Sequence, residues 1–193
     1  MDNPHDFQEK RAQSCTPEIR ELVKVILTWF CGKTYKIVSI NELPGGLTPD
    51  QRDGKDWEVT VEVASGRRKL IYFDLKVRPD DKPWLKEPKD IFFDYISDEA
   101  KKTPGWIELP LACDFILYIW LPIKHAVIFP FLPAAIVWKV HKEMWLKMYG
   151  SKRVPNKGWV TLGCPIPLSV LFHSMDLDAM EFIWGGESPG RRV

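Results

Sequence analysis

Residues 57–77 read WEVTVEVASGRRKLIYFDLKV, and this stretch decides the fold. Polar and apolar side chains alternate in WEVTVEV and again in KLIYFDLKV, which is the pattern of β-strands with one buried face. The segment ASGR between them suits a turn, with Ser65-Gly66 near its tip. The sequence therefore predicts a β-hairpin over 57–77.

The second strand of this hairpin presents two different faces. Because side chains alternate across a strand, one face carries Leu70, Tyr72, Asp74 and Lys76. The opposite face carries Ile71, Phe73, Leu75 and Val77. This second face is wholly apolar, so we expect it to be buried. The first face places a carboxylate and an ammonium group side by side near the end of the strand.

The position of the turn also predicts which residues face each other across the hairpin. With the turn centred on Ser65-Gly66, the numbers of paired residues add up to about 131, with an uncertainty of one. Asp56 then lies beside Asp74 or Leu75, with Lys76 close by. Two adjacent carboxylates repel each other unless a cation lies between them, and Mg²⁺ is a cation that prefers oxygen ligands.

Two interpretations of this Asp–Asp–Lys cluster remain open. The hairpin alone favours a solvated ion pair on a half-exposed strand. The alternative is a metal site that polarises a scissile phosphate, with a lysine that orients water or stabilises charge. The bulky apolar neighbours of Asp74 and Lys76 indicate a central strand covered on both faces, which supports this alternative.

The composition is that of an ordinary globular protein of one domain. The chain has 193 residues, of which 45% are hydrophobic and 27% are charged, and its formal net charge is +1. Attraction to nucleic acid must therefore come from local basic patches or from bound metal. The four cysteines show no CxxC spacing, and the N-terminal residues are unlike a secretory signal, so we expect reduced thiols and a cytoplasmic protein.

The rest of the chain alternates between helical and extended patterns. Helices are predicted over 17–31, behind the N-cap Thr16, and from Pro133 to about Tyr149. Predicted strands outside the hairpin are 35–40, 91–96, DFILYIWL, HAVIFPF and a short one near 159–162, with loops at 41–55, 79–90 and 98–113. Residues 115–138 are apolar but contain Lys124, His125 and three prolines, so they predict strands and a helix start rather than a membrane span.

These elements predict a single folded domain of the α/β or α+β class, of which we favour α/β. We expect a flexible N-terminal arm over 1–15, the domain over 16–175 and a C-terminal tail over 176–193.

The hairpin motif resembles the PD-(D/E)XK nuclease superfamily of restriction enzymes, Holliday-junction resolvases and phage or repair nucleases. Gly54-Lys55-Asp56 opens one strand, and Asp74-Leu75-Lys76 lies on the next. The ordered segments DIFFDYIS, TPGWI, CDFILYIWL, HAVIFPF and NKGWVTLG also resemble phage and bacterial nuclease-like proteins of unassigned role, over about residues 50–170. The resemblance implies a restriction-endonuclease-like core, a central mixed β-sheet of about five strands flanked by helices.

The resemblance also implies a role for each residue of the motif. Asp56 and Asp74 would bind a metal ion with the backbone carbonyl of Leu75, and Lys76 would be the catalytic lysine. The implied cofactor is Mg²⁺, for which Mn²⁺ would substitute. The implied activity is a metal-dependent endonuclease that hydrolyses phosphodiester bonds of DNA, including branched, phage or repair DNA.

Two further carboxylates are candidates for completing the site. Asp94 stands where related proteins often carry Glu on a third strand, so it is a candidate ligand or a partner for Lys76. A hydrogen-bonded strand Asp is the alternative. Many resolvase-like members use a Glu of the first helix, for which Glu18 is preferred here over Glu21. A solvated helix face is the alternative for both.

Several basic and aromatic residues are candidates for contact with nucleic acid. The basic ones are Arg67, Arg68 and Lys69 at the hairpin tip, Lys101 and Lys102, and Lys152 and Arg153. Trp57, Trp84 and Trp106 could stack on bases, although core packing is the more usual role of Trp. Asp50 and Asp53 are better explained by turn formation than by metal binding.

Two other functions remain open besides the nuclease. One is a catalytically silent nuclease fold that binds DNA or another protein, and the other is a structural phage or host-interaction protein. For the enzyme, paired cutting of two strands would favour a homodimer with two-fold symmetry, in which apolar surface supplies the interface.

Overall fold

The predicted hairpin is present in the computed structural model, which describes residues 16–43, 54–78, 90–156 and 158–185. Strand β1 is Lys36–Glu42, β2 is Trp57–Glu62 and β3 is Arg68–Arg78. The turn between β2 and β3 is closed by the amide of Gly66, which donates to the carbonyl of Val63, and Gly66 adopts a φ of 77° that favours glycine. The arm at 1–15, Asp50, Asp53 and Trp84 lie outside the described residues.

The hairpin belongs to a mixed sheet of six strands, whereas the resemblance implies about five. The added strands are β6 (Phe115–Trp120), β7 (His125–Pro130) and β10 (Met180–Ile183), and the order is β1-β2-β3-β6-β7-β10. Neighbours are antiparallel except β3 and β6, which are parallel. Strand β10 falls in the expected C-terminal tail and pairs with β7, so that β10 forms the edge of the sheet. Local alternation over four residues could not reveal this pairing.

A second sheet of four strands contains the predicted strand at 91–96. Its strands are β4 (Asp90–Asp98), β5 (Thr103–Pro104), β8 (Lys152–Pro155) and β9 (Val160–Pro167), in the order β5-β4-β9-β8. The sequence does not predict this second sheet, β5 or β8. Alternation reports which side of a strand is buried, but it does not report the strand with which it pairs.

Three α-helices occur in the described part of the chain. They are α1 (Pro17–Gly32), α2 (Phe131–Tyr149) and α3 (Leu168–Met175). The Thr16 hydroxyl accepts a hydrogen bond from the Ile19 amide at 3.4 Å, as its N-cap role predicts. Helix α2 begins two residues before the predicted start at Pro133, because β7 leads into it directly. Pro133 fits within the first turn because backbone amides there have no hydrogen-bond partner inside the helix.

Two apolar cores cover the two faces of the six-stranded sheet. Helix α1 packs on the face that carries Ile71 and Phe73. The opposite face packs against the second sheet, α2 and α3, in a core that includes Phe93, Tyr118 and Trp138. Residues 115–138 form β6, β7 and the start of α2, as predicted. In the described ranges, no helix is long and apolar enough to cross a membrane.

Gly105 fixes the loop before Trp106 against the second sheet. Its amide donates to the carbonyl of Tyr95 at 3.0 Å, and a Cβ atom at Gly105 would lie 1.9 Å from the carbonyl oxygen of Asp94. Residues Trp106–Glu108 then form a short 3-10 helix inside the region that the sequence predicts to be a loop. The absence of a side chain at Gly105 therefore lets this loop lie directly on β4.

We expect Gly105→Ala to lower the free energy of unfolding by about 1–3 kcal/mol, because the new methyl group collides with backbone that cannot rotate away. Gly32→Ala is the matched control, since its Cβ would meet only Ile37 at 3.8 Å, and its effect should stay within about 0.5 kcal/mol. Urea unfolding of the three proteins measures both changes. Equal stability of the two variants would contradict the close packing at Gly105.

Candidate active site

The backbone at the start of β2 places Asp56 beside β3. The β2–β3 ladder ends at the pair of Trp57 and Phe73, and Asp56 directly precedes Trp57. The Asp56 amide donates to the Phe73 carbonyl at 2.9 Å, and the charge of the Asp56 carboxylate acts on Asp74. The structure thus brings together the two aspartates that the turn position pairs.

Asp56 is held in place by the backbone around it. Its Oδ2 atom accepts a hydrogen bond from the Leu75 amide at 2.8 Å, and its carbonyl accepts one from the Leu43 amide at 2.8 Å. Gly54, two residues earlier, has a φ of 71° and lies against the Leu111 side chain. The Gly54-Lys55-Asp56 segment is therefore a tight turn that directs the Asp56 carboxylate toward β3.

Asp74 and Lys76 form an ion pair on the interior of a central strand. The Lys76 Nζ atom lies 2.9 Å from Oδ1 and 2.7 Å from Oδ2 of Asp74. Asp74 is 4% exposed, whereas the Lys76 side chain is 28% exposed. The structure thus contradicts the interpretation of Asp74 as one member of a solvated ion pair on a half-exposed strand. Asp74 is buried because β3 is flanked by β2 and β6 and is covered on both faces.

Burial raises the pKa of Asp74 to about 7. The Lys76 ammonium opposes this shift, while the charge and hydrogen bond of Asp56 add to it. Near neutral pH, Asp74 therefore does not carry a full negative charge without cost. A carboxyl group with such a strongly perturbed pKa beside a like-charged group is typical of functional sites.

Lys76 is surrounded by acidic and aromatic groups. Burial lowers its pKa, but the charges of Asp74, Asp56 and Asp94 together raise the pKa above its usual value. Its Nζ atom also lies 5.6 Å from the centre of the Trp106 ring, within range of a cation–π contact. Lys76 is therefore an ammonium group at neutral pH.

The second sheet brings Asp94 to this cluster. The Tyr118 hydroxyl, buried on β6, accepts hydrogen bonds from Arg78 Nε at 2.5 Å and from the Phe92 amide at 3.2 Å. These bonds connect the end of β3 to β4 two residues before Asp94, whose charge acts on Lys76 and on Tyr118. The structure therefore places Asp94 near Lys76.

Cys113 and Asp114 border the site, and the sequence does not single them out. The Asp114 Oδ2 atom accepts from the Tyr72 amide at 2.8 Å, and the Asp114 amide donates to the Tyr72 carbonyl at 2.9 Å. This exchange starts the parallel β3–β6 ladder. Burial, together with the Asp74 charge, raises the pKa of Cys113 to about 12, so this thiol is neutral. In the sequence, the signal that could have identified these two residues is a Cys-Asp pair directly before an apolar strand.

Glu18 lies on a different side of the sheet. Its pKa is lowered by a hydrogen bond from backbone and by one with Thr16, as expected for the first turn of a helix. Helix α1 covers the face with Ile71 and Phe73, whereas Asp74 and Lys76 point to the opposite face. The structure places Glu18 at the helix N-terminus and does not bring it together with Lys76.

The candidate nucleic-acid contacts lie at two places. Arg67, Arg68 and Lys69 are exposed at the hairpin tip, about 20 Å from Asp74 at roughly 3.3 Å per strand residue. Lys152 and Arg153 are exposed on β8, and Lys101 and Lys102 are exposed in the turn between β4 and β5. There Lys101 pairs with Asp98 at 3.0 Å and Arg153 with Glu99 at 2.6 Å. Trp57 and Trp106 are buried in the cores, so core packing is their role here.

The groups of this site that could bind a metal ion would do so through oxygen atoms. Across the described ranges, no group of three or more His, Cys, Asp or Glu residues is arranged around a common metal position. The site instead offers Asp56 and Asp74 and the Leu75 carbonyl. Because the Leu75 amide points to Asp56, the carbonyl of the same strand residue points to that side as well.

Comparison with known proteins gives no match. No protein-family model, no curated protein and no solved structure is similar to this chain. The functional argument therefore rests on the geometry of the Asp56, Asp74 and Lys76 cluster and on the groups that border it.

The raised pKa of Asp74 predicts how stability depends on pH. Between about pH 4 and 7, the folded chain holds a proton on Asp74 that the unfolded chain has lost, so stability falls as pH rises through this range. Asp74→Asn lacks this titrating carboxyl group, so it should reduce the fall by about 4 kcal/mol. Unfolding measured from pH 4 to 8 tests this, with the exposed Asp178→Asn as control. Identical pH profiles for Asp74→Asn and wild type would contradict the prediction.

Tyr118→Phe should lower the free energy of unfolding by about 1–3 kcal/mol. The substitution removes the buried hydroxyl that accepts hydrogen bonds from the Phe92 amide and from Arg78. Tyr95→Phe is the matched control, since the Tyr95 hydroxyl bonds to Ser151 at the surface. Its cost should stay below that of Tyr118→Phe. Chemical denaturation compares the two, and equal losses would show that Tyr118 does not connect the sheets.

Proposed function

We propose that this chain is a metal-dependent endonuclease of the PD-(D/E)XK type that hydrolyses phosphodiester bonds of DNA. The observation that carries the proposal is the apposition of Asp56 and Asp74, with Lys76 bonded to Asp74 at 2.7 Å. Paired carboxylates with an adjacent ammonium group combine a cation site with a positive charge for a phosphate.

The residues of the site fit Mg²⁺. A divalent cation would offset the repulsion that helps to raise the pKa of Asp74. Mg²⁺ commonly binds one or two carboxylates and completes its coordination with water and substrate phosphate. Asp56, Asp74 and the Leu75 carbonyl would hold it, and Mn²⁺ should substitute. When bound, the ion supplies Lewis-acid polarisation of the scissile phosphate.

Lys76 would stabilise negative charge on the phosphate rather than abstract a proton. The carboxylates around it hold its pKa above its ordinary value, so it enters the reaction as a cation. Asp74 orients the ammonium through both of its oxygens, and Asp94 adds a further negative charge on the second sheet. The partial exposure of Lys76 leaves it accessible to a substrate.

Affinity for DNA would come from local basic groups, because the net charge is only +1. Arg67, Arg68 and Lys69 offer three cations at one exposed tip. Lys101 and Arg153 are partly neutralised by their acidic partners, so the hairpin tip is the stronger candidate for contact with backbone phosphates. Phosphate contacts of this kind weaken as salt concentration rises.

A second candidate is a catalytically silent binding module. Lys76 lies near both oxygens of Asp74, so the pair forms a closed ion pair in its own right. Such a pair could serve structure alone, leaving the basic residues to bind DNA or a protein. This candidate predicts DNA binding that survives Asp74→Ala, without cleavage and without metal binding that depends on Asp56.

The nuclease proposal predicts cleavage of DNA with Mg²⁺ or Mn²⁺ that Asp74→Ala and Lys76→Met each lower by at least about a hundredfold. Branched, duplex and single-stranded DNA should be assayed in parallel, since the preferred substrate structure is open. Asp178→Ala, which changes an exposed aspartate, is the matched control and should retain full activity.

Calorimetry with Mn²⁺ provides an independent readout of the same site. Wild type should bind the ion and Asp56→Ala should not. Equal cleavage by wild type and Asp74→Ala would overturn the assignment. Binding of DNA without cleavage or metal binding would instead support the silent module.

A further inference from the structure

The outer face of α2 carries a continuous apolar stripe. Its members follow one another at four-residue intervals and are Leu132, Ile136, Val140, Met144 and Met148. Each is between 48% and 71% exposed. The inner face of the same helix buries Ala134, Trp138 and Trp145. Helix α2 is therefore apolar on two sides, of which the folded chain uses one.

The stripe is large for a single helix. Five side chains exposed to this extent present on the order of 500 Å², near the upper end of the roughly 300–600 Å² of the largest apolar patch on typical monomers. A groove of about 710 Å³ runs beside it, lined by the 107–114 segment and by Leu132 and Ile136.

We propose that a second copy of this chain covers the stripe, in an antiparallel pairing of the two α2 helices about a two-fold axis near Val140. Val140 is the middle member of the stripe, with two apolar residues on each side. The two-fold axis then sets Ile136 at the level of the partner's Met144. Because a row at four-residue spacing drifts by about 40° per step around the helix, the contact is centred on Ile136, Val140 and Met144, with Leu132 and Met148 toward its edges. Such self-complementarity is what a symmetric interface requires, and rows at four-residue spacing are the ridges that most often pack between helices.

The charges beside the stripe suit the same pairing. Lys139, Glu143 and Lys147 form an exposed row along one flank. In an antiparallel pair, equivalent flanks lie side by side, so Lys139 comes within about one turn of the partner's Glu143. The symmetry produces this contact twice. The flank of α2 therefore favours another α2 over an apolar surface without charges.

Sedimentation velocity of the full chain over a hundredfold concentration range tests the proposal. Wild type should sediment as a dimer of twice 22.4 kDa. Val140→Glu should raise the dissociation constant by roughly a hundredfold, because the dimer would bury two carboxylates at its centre. Val25→Glu is the matched control, a valine that is 55% exposed on α1, and it should leave the dimer intact.

A charge exchange tests the antiparallel arrangement. Lys139→Glu and Glu143→Lys should each weaken the dimer about tenfold, and the double exchange should restore it. Circular dichroism establishes that each variant is folded. A wild type that stays monomeric at every concentration, because another protein or other parts of the chain cover the stripe, would overturn the proposal. So would a dimer that Val140→Glu does not weaken.

Discussion

The antiparallel pairing of β2 with β3 is the constraint on which the site depends. It sets Asp56 at the end of the ladder beside β3, and the Leu75 amide then fixes the Asp56 carboxylate next to Asp74 at 2.8 Å. A shift of one residue in this register would exchange the faces of β3, moving Asp74 and Lys76 to the α1 side and exposing Phe73 to the other core. The apolar face of β3 and the position of the acidic cluster are therefore determined together.

The surroundings of the hairpin convert this pair into a buried site. The parallel strand β6 covers the other edge of β3, and the Tyr118 hydroxyl holds β4 of the second sheet across it. Gly105 lets the following loop lie on β4, which sets Trp106 beside Lys76. Asp94 and Trp106 thus reach Lys76 from a sheet that is separate from the one carrying the hairpin.

Holding this cluster together costs stability. Burial and the neighbouring carboxylate raise the pKa of Asp74 to about 7, so ionisation of Asp74 weakens the fold. Hydrophobic cores on both faces of the sheet offset that cost. An arrangement that is unfavourable without a cation and well supported by its surroundings is typical of sites that bind ligands.

The sequence by itself determined the hairpin, its tip, the buried face of β3 and the approach of Asp56 to Asp74, because strand alternation and turn chemistry act over a few residues. It also located α1, α2 and the strands β6 and β7. Only the tertiary structure decided that β4 and β9 form a second sheet, that β10 extends the first, and that Asp94 rather than Glu18 lies near Lys76. These depend on pairing between distant segments, for which short-range patterns carry no information about partners.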